Sequence, residues 1–294
     1  MVNMSNILIC GSEGFIGSRL RPHLEDEGHI VDGFDRGFFA EYGSSSCDYR
    51  HLPPSVIQTY DVVILLAGHS SVPLCEHDPQ GSFSNNVVNF QNLIYKLRDD
   101  QTFIYASSGS VLSAGDEPLC HYDFQKSSID KIARLSGKRY YGLQFGTVCG
   151  YSPTPRLELM INSMFIDAVT HGEVRVSNRN AYRAILGMSD LVRCIARIVD
   201  SPPEPGLYPL ASFSYPIGAI AELVAAETGA KVVTLPATGP CYDFEIDTWK
   251  FQQAYPRFKF KQDVRSIIEE LNELPLALRD KSKYNRSTNL IKYT

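Results

Sequence analysis

The chain has 294 residues, 44% hydrophobic and 21% charged, the balance of a folded globular protein and not of a disordered, collagenous or coiled-coil chain. Its 28 Lys and Arg against 33 Asp and Glu leave a net charge of −5, a poor basis for general nucleic-acid binding, which depends on neutralising phosphates. The longest purely aliphatic run, Val62 to Ala67, is far short of a membrane span, and residues 1–10 have neither the basic start nor the apolar stretch of a signal peptide.

In chain order, short apolar runs alternate with helical ones. Ile7–Cys10 reads as a strand. Gly14–Glu27 reads as a helix with Phe15, Leu20 and Leu24 apolar, stopped by Gly28. Ile30–Phe34 and Val62–Leu66 are strands, the second wholly apolar as in a buried parallel sheet. Pro79–Leu97 is a long helix with proline in its first turn. Thr102–Ala106 is a strand, Tyr122–Ser136 a helix and Tyr140–Phe145 a strand. Such alternation predicts an α/β fold, a Rossmann-type doubly wound parallel sheet.

Beyond Gly150 the pattern changes. Residues 151–156 hold two prolines and read as a loop. Leu157–His171 is an amphipathic helix, and Ser201–Pro205 (SPPEP) a break before a last strand of the first sheet at Leu207–Ala211. Pro216–Thr228 and Asp263–Leu271 are helices started by Pro and Asp. The expected organisation is a dinucleotide-binding domain over 1–150, with 182–212 returning to it. A smaller, mostly helical substrate-binding lobe takes 151–181 and 213–278. Residues 279–294 form a basic tail of charge +4 (five basic residues, one acid), leaving −9 on the remainder. Seven scattered cysteines (10, 47, 75, 120, 149, 194, 241) without a CxxC argue for reduced thiols in the cytoplasm, with neither a disulfide frame nor a metal site.

The first strand runs into Gly11-Ser12-Glu13-Gly14-Phe15-Ile16-Gly17, a GxxGxxG at a strand-to-helix turn. Glycines there allow a tight turn and close approach of a pyrophosphate, and the helix start supplies N–H groups and a positive dipole end. The second strand ends at Asp35, eighteen residues past Gly17, where an acid accepts hydrogen bonds from the adenosine ribose hydroxyls and repels a 2′-phosphate. Asp35 therefore favours NAD over NADP; Arg36 beside it tempers that preference.

The strand at 102–106 ends in Ser107-Ser108-Gly109-Ser110, and Tyr122 and Lys126 follow, four apart on one helix face. A phenol is a poor base at neutral pH, and a neighbouring ammonium favours its phenolate. A serine hydroxyl can hydrogen-bond the oxygen being oxidised or reduced. A second YxxxK, Tyr255 to Lys259, contains Pro256, follows no serine-ended strand and reads as a chance match.

With these residues together, the chain resembles the extended short-chain dehydrogenase/reductase family, in its NAD-dependent sugar-nucleotide epimerase/dehydratase branch. Residues 6–275 hold the glycine turn, Asp35, Leu66-Ala67-Gly68, SSGSV at Ser107–Val111, YxxxK, and FGTVCG at Phe145–Gly150 in the family's order. The resemblance implies that Gly11, Gly14, Phe15, Ile16 and Gly17 hold the pyrophosphate of NAD and that Asp35 holds its ribose. It implies adenine contacts from Asp48 and Tyr49. It lines the nicotinamide side with Leu66, Ala67, Gly68, Asn86, Thr147 and Val148. It implies Ser108, Tyr122 and Lys126 as the catalytic trio, with Ser107, Tyr122 and Lys126 also in contact with NAD. For the substrate it implies Asn162 at the nucleotide diphosphate and Arg183 at a phosphate, with Arg156 and Arg257 as further candidates. It also implies a homodimer, built by pairing Pro79–Leu97 and Tyr122–Ser136 across a two-fold axis, with Phe83, Val87, Phe90 and Ile94 at helical spacing. The chain departs from the family in a short Ser108–Tyr122 spacing, in His121 where proline is usual, and in Gly187 where histidine is common. His69 and His121 fall near the expected site and read as satisfied or exposed side chains.

Family 4,6-dehydratases carry Asp-Glu after the catalytic hydroxyl residue, whereas Gly109-Ser110 stand here. The expected activity is therefore sugar-nucleotide epimerisation by transient hydride transfer to bound NAD. The alternatives are a keto-sugar-nucleotide reductase or dehydratase, or a non-catalytic NAD-binding protein of this fold.

Overall fold

A computed structural model describes residues 4–35, 48–114, 117–237 and 241–279. The backbone forms two compact units. One reaches to Gln144 and takes in Val192–Tyr208; the other comprises Phe145–Leu191 and the chain from Pro209 onward. The segment 182–212, expected to return to the first domain, is thus divided between them.

The first unit opens with β1 (Asn6–Cys10), α1 (Gly17–Asp26) and β2 (Ile30–Phe34). Then come α2 (Pro54–Ile57), β3 (Val62–Leu65), α3 (Val72–His77), α4 (Pro79–Phe83) and α5 (Asn89–Ile94). It continues through β4 (Thr102–Ala106), α6 (Ser110–Ala114), α7 (His121–Leu135) and β5 (Tyr140–Phe145). The strands lie in the order β2-β1-β3-β4-β5, with Gly206–Leu210 as a sixth beside β5. Pairing from β2 through β5 is parallel, and Cys10 is aligned with both Phe34 and Leu65. The carboxyl ends of the strands therefore share one edge, and β1 sits where the winding reverses, the place at which open α/β sheets bind ligands. Leu8, Val63, Phe103 and Tyr105 of the strands pack with Phe90, Ile94, Ile129 and Ala133 of the helices. Such burial is worth roughly 1.5–3 kcal/mol per large apolar side chain.

The expected long helix over 79–97 is wound in three pieces. Between α4 and α5, Ser84–Val88 forms a wider π turn. Such turns occur frequently at functional sites.

The second unit adds β6 (Thr147–Cys149), α8 (Met160–His171), β7 (Glu173–Val176) and β8 (Tyr182–Gly187). The chain continues through α9 (Met188–Asp200) and the sixth sheet strand, β9 (Gly206–Leu210). β10 (Phe213–Pro216), α10 (Ile217–Thr228), β11 (Lys231–Thr234), α11 (Trp249–Ala254) and α12 (Val264–Asn272) complete it. The second unit thus holds five short strands, in sheets β10-β8-β6 and β11-β7, and three of them (β7, β10 and β11) lie in the lobe expected to be mostly helical. Its core joins Ile161 and Phe165 of α8, Ile220 and Val224 of α10, and Ile267 and Leu271 of α12. Asp263 starts α12 with a capping box to Ser266. Buried Asp190 accepts from the backbone N–H groups of Lys261 and Gln262 and from the Ser212 hydroxyl. A side chain at Gly187 would strike the side chain of Gln262. No helix among the described residues is long and apolar enough to cross a membrane.

Candidate active site

The glycine turn leaves the carboxyl end of β1. Gly11 has φ +95°, a conformation that favours glycine, and a Cβ there would lie 2.6 Å from the Ala67 backbone nitrogen. The Leu66 and Ala67 N–H groups in turn donate to Cys10 O at 2.8 and 2.9 Å. Any side chain at Gly17 would collide with Gly11 O and Ser12. Phe15 is buried and anchors the turn in the first unit, with Ile16 half-buried at the N-cap of α1. That N-cap makes no side-chain hydrogen bond, and the first turn of α1 holds no acid. A bare, positively polarised helix start suits a pyrophosphate.

Asp35 Oδ2 accepts the Glu13 N–H at 3.1 Å, so the acid at the end of β2 also braces the turn. Burial pushes the Cys10 thiol pKa well up, and the carboxylates of Asp48 and Asp35 push it in the same direction. Asp48 is engaged by Arg50, whose Nε donates to both of its oxygens. Tyr49 is packed into the first unit's core. Arg36 lies outside the described residues.

Asn86, on the π turn, ties the loop after β3 in place. Its Oδ1 accepts the His69 N–H at 2.8 Å, and its Nδ2 donates to His69 O at 3.0 Å and to Gln125 Oε1 at 2.7 Å. Gly68, at φ +156°, passes so close that a Cβ would lie 2.7 Å from Asn86 Oδ1. His69 Nδ1 faces Asn85 Nδ2 at 3.1 Å, while His121 is exposed.

The expected trio comes together at the end of β4 and the start of α7. Lys126 is buried, donates to Ala106 O at 2.7 Å and lies 5.7 Å from the centre of the half-buried Tyr122 ring. Burial lowers its ammonium pKa to about 8, while the Asp130 carboxylate opposes that shift. Asp130, one turn later, accepts from Ser107 Oγ, Tyr105 and Gln144. Burial nevertheless holds its carboxyl above the usual range. Ser107 is thus fully occupied with Asp130, and Ser108, 8% exposed, is the serine left beside the loop. Ser108 Oγ lies 2.8 Å from Ser110 Oγ, which donates to Asp123 at 2.6 Å. Neither Asp123 nor Gln125 was singled out by the sequence; the signal was a polar pair inside a YxxxK turn that their neighbours bury.

In the second unit, Thr147 and Val148 lie on β6, paired with Ile185 and Leu186 of β8. Asn162 is fully buried: Oδ1 accepts the Gly150 N–H, and Nδ2 donates to Gly150 O and Arg156 O. Its amide therefore braces the 150–156 loop. Arg156 pairs with Glu158 at 2.8 Å, and Arg257 is exposed. Arg183 lies 5.4 Å from the Tyr242 ring centre, and its buried Nε has no hydrogen-bond partner among the described residues. Burial lowers its pKa. A half-buried guanidinium with an unpartnered Nε suits an anion.

Among the described residues, Glu27, His29 and Asp200 are close enough to share a metal ion. His29 Nδ1, however, accepts the Ser5 N–H, so a neutral ring carries its proton on Nε2, the atom 3.5 Å from Asp200. That tautomer leaves Nε2 protonated and so not available as a metal ligand.

A family model described as the NAD dependent epimerase/dehydratase family matches residues 7–211. Protein CapI of Staphylococcus aureus is 30% identical over 244 residues, 68% of this chain and 70% of that protein. "Probable UDP-glucuronate 4-epimerase" of Rhizobium meliloti (strain 1021) is 26% identical over 243 residues, 67% and 69% of the two chains. Among solved structures, TunA, described as an NAD-dependent NDP-hexosamine 5,6-dehydratase involved in tunicamycin biosynthesis, superposes with a TM-score of 0.79 at 19% identity, covering 91% of this chain and 97% of that one. UDP-glucuronic acid 4-epimerase from Bacillus cereus, in complex with UDP-glucuronic acid and NAD, gives 0.75 at 19% identity, covering 91% and 98%. At these identities the structural likeness is one of fold.

Proposed function

Since the chain belongs to the NAD-dependent epimerase/dehydratase family, an enzyme family whose cofactor is NAD, we propose that it epimerises a sugar nucleotide. The observation that carries this reading is the pair after the proposed catalytic serine. Gly109 has no side chain, and the Ser110 hydroxyl is turned onto Asp123. Neither supplies the acid and base that elimination of water requires at those positions.

The residues fit the cofactor. The uncapped start of α1 and the glycine turn hold the pyrophosphate, Asp35 the ribose, and the Leu66–Gly68 loop braced by Asn86 the nicotinamide side. NAD, when bound, supplies the hydride acceptor and later the donor. Tyr122 takes the proton of the sugar hydroxyl and gives it back after the keto sugar has turned. Lys126 keeps positive charge beside the Tyr122 ring, which favours the phenolate during proton removal. Ser108 hydrogen-bonds the reacting oxygen. Arg183, with an unpaired buried Nε, supports an anionic substrate such as a nucleotide diphosphate.

The test is to release and identify the nucleotide held by the purified protein, then incubate the protein with UDP-glucuronic acid and with UDP-glucose. Retained NAD and a 4-epimer by NMR are expected. A dehydrated product, or net consumption of NADPH, would overturn the epimerase reading.

A further inference from the structure

Asp123 follows the proposed base Tyr122 in the first turn of α7, yet it points inward and is only 1% exposed. An acid in a first helical turn is ordinarily stabilised by the dipole and needs no burial. Here it meets a second buried group, the Ser110 hydroxyl, 5% exposed, which donates to its Oδ1 at 2.6 Å. Ser110 Oγ in turn lies 2.8 Å from Ser108 Oγ. The Ser110 N–H also reaches Ser108 Oγ at 3.3 Å.

A hydroxyl has one proton to donate and two lone pairs to accept with. The single proton of Ser110 is given to Asp123. The contact between the two serines is therefore made by the Ser108 proton, donated to Ser110 Oγ. Ser108 Oγ receives the Ser110 N–H on one lone pair and keeps the other. Proton by proton, the chain runs from Ser108 to Ser110 to Asp123, and it is fixed at the carboxylate end.

We propose that Asp123 is a positioning residue which, through Ser110, fixes the direction of the Ser108 hydroxyl, so that the Ser108 proton is the one left to turn onto the reacting sugar oxygen. The proposal rests on Ser108 being the serine that contacts that oxygen. An alcohol has a single proton, and Tyr122 takes it, so Ser108 meets the alcohol oxygen as a donor: its proton turns from Ser110 to the sugar oxygen while Ser110 stays on Asp123. The keto sugar has no proton to give and keeps the same bond from Ser108. The relay thus serves both oxidation states with one proton of one hydroxyl. Without Asp123 the Ser110 proton is free to turn onto Ser108, and the serine pair has no set direction.

Two measurements on the full-length protein test this. The first needs no substrate: NMR of the hydroxyl protons with serine-selective labelling. Hydroxyl signals of Ser108 and Ser110 protected from exchange are expected in the parent. The Ser108 signal should be lost or strongly shifted in Asp123→Ala and Ser110→Ala alike. A Ser108 signal unchanged by Asp123→Ala would overturn the relay even if the protein proved not to be an epimerase. The second is kinetic, with UDP-glucuronic acid and UDP-glucose as probes. Asp123→Ala should lower kcat roughly 10–100-fold, the scale of a misplaced reacting group, with KM and NAD retention unchanged. In a Ser110→Ala or Ser108→Ala background it should lower kcat no further, because linked residues are not additive. Losses that multiply instead would overturn the proposal. A purely structural Asp123 would lower thermal stability and leave kcat per folded protein alone. Should Asp123→Ala fail to fold, Asp123→Asn, of the same shape and still able to accept from Ser110, takes its place, with kcat between parent and Ser110→Ala expected. If the parent turns over neither probe, the epimerase reading fails by that result and the relay is decided by the hydroxyl signals.

Discussion

At the scale of single residues, the chemistry rests on groups whose burial changes what they can do. Tyr122→Phe keeps the ring and its packing and removes the proton acceptor. Turnover should fall by the 10²–10⁴-fold of a lost general base while fold and NAD binding persist. The control is Tyr255→Phe. Tyr255 is buried in an aromatic cluster with its ring centre 4.9 Å from that of Phe251, and turnover there should be unaltered. Parent-rate turnover in Tyr122→Phe would refute the assignment. Lys126 gives a pH prediction. Burial lowers its pKa from 10.5 to about 8, so between those values the folded state binds fewer protons than the unfolded chain. Stability from this group therefore rises with pH across that window and is lowest below pH 8. The melting temperature of the cofactor-free parent, minus that of Lys126→Met, should climb from about pH 8 to about 10.5. Parallel curves would show that the lysine keeps its ordinary affinity for protons.

At the scale of elements, function depends on where strands stop. β1 and β2 end in register, and this brings Asp35 back onto the glycine turn, where it accepts the Glu13 N–H. Asp35→Ala should then do two things. The preference for NAD over NADP, expected to be at least about tenfold or 1.4 kcal/mol in the parent, should narrow. The turn should also lose a charge-assisted hydrogen bond, usually worth about 1.5–3 kcal/mol. Titration with both cofactors and denaturant unfolding separate the two effects; equal affinity in the parent would refute the cofactor assignment. The π turn at Ser84–Val88 belongs to the same scale. One extra residue in the winding puts Asn86 between His69 and Gln125 and couples the loop after β3 to α7.

At the scale of the whole molecule, assembly follows from which apolar side chains the first unit leaves outside. Val87, Phe90 and Ile94 are buried in its own core. Phe83, Val88, Phe124 and Leu135 are instead exposed on the helices proposed to pair in a dimer. The rings of Phe83 and Phe124 stack with centroids 6.2 Å apart. A homodimer is expected in sedimentation at micromolar concentration. Phe83→Glu with Phe124→Glu should convert it to monomer without changing the melting behaviour of the fold. A parent that sediments only as monomer would overturn this assembly.

The first unit was legible because its signals are local. A glycine turn between strand and helix, an acid at the next strand end and YxxxK after a serine-ended strand each lie within a few residues. The strands Val62–Leu65 and Thr102–Ala106 are legible from composition, as unbroken runs that are buried along nearly their whole length, and not from a period. The second unit was read less well. Strands of three to six residues are too short for periodicity to register, and β11 pairs with β7 across more than fifty residues. Sequence placed Asn162 and Arg183 in the same category, and only packing separated them: one amide is consumed by Gly150 and Arg156, while the other side chain keeps a buried donor unpaired. Asp123 belongs with them, since an acid in a first helical turn reads as a solvated charge until α6 packs beside it and turns Ser110 toward it. Local spacing determines which residue types can meet in a turn or on one helix face. Which of their protons and lone pairs remain available is decided only when non-local neighbours remove water from them.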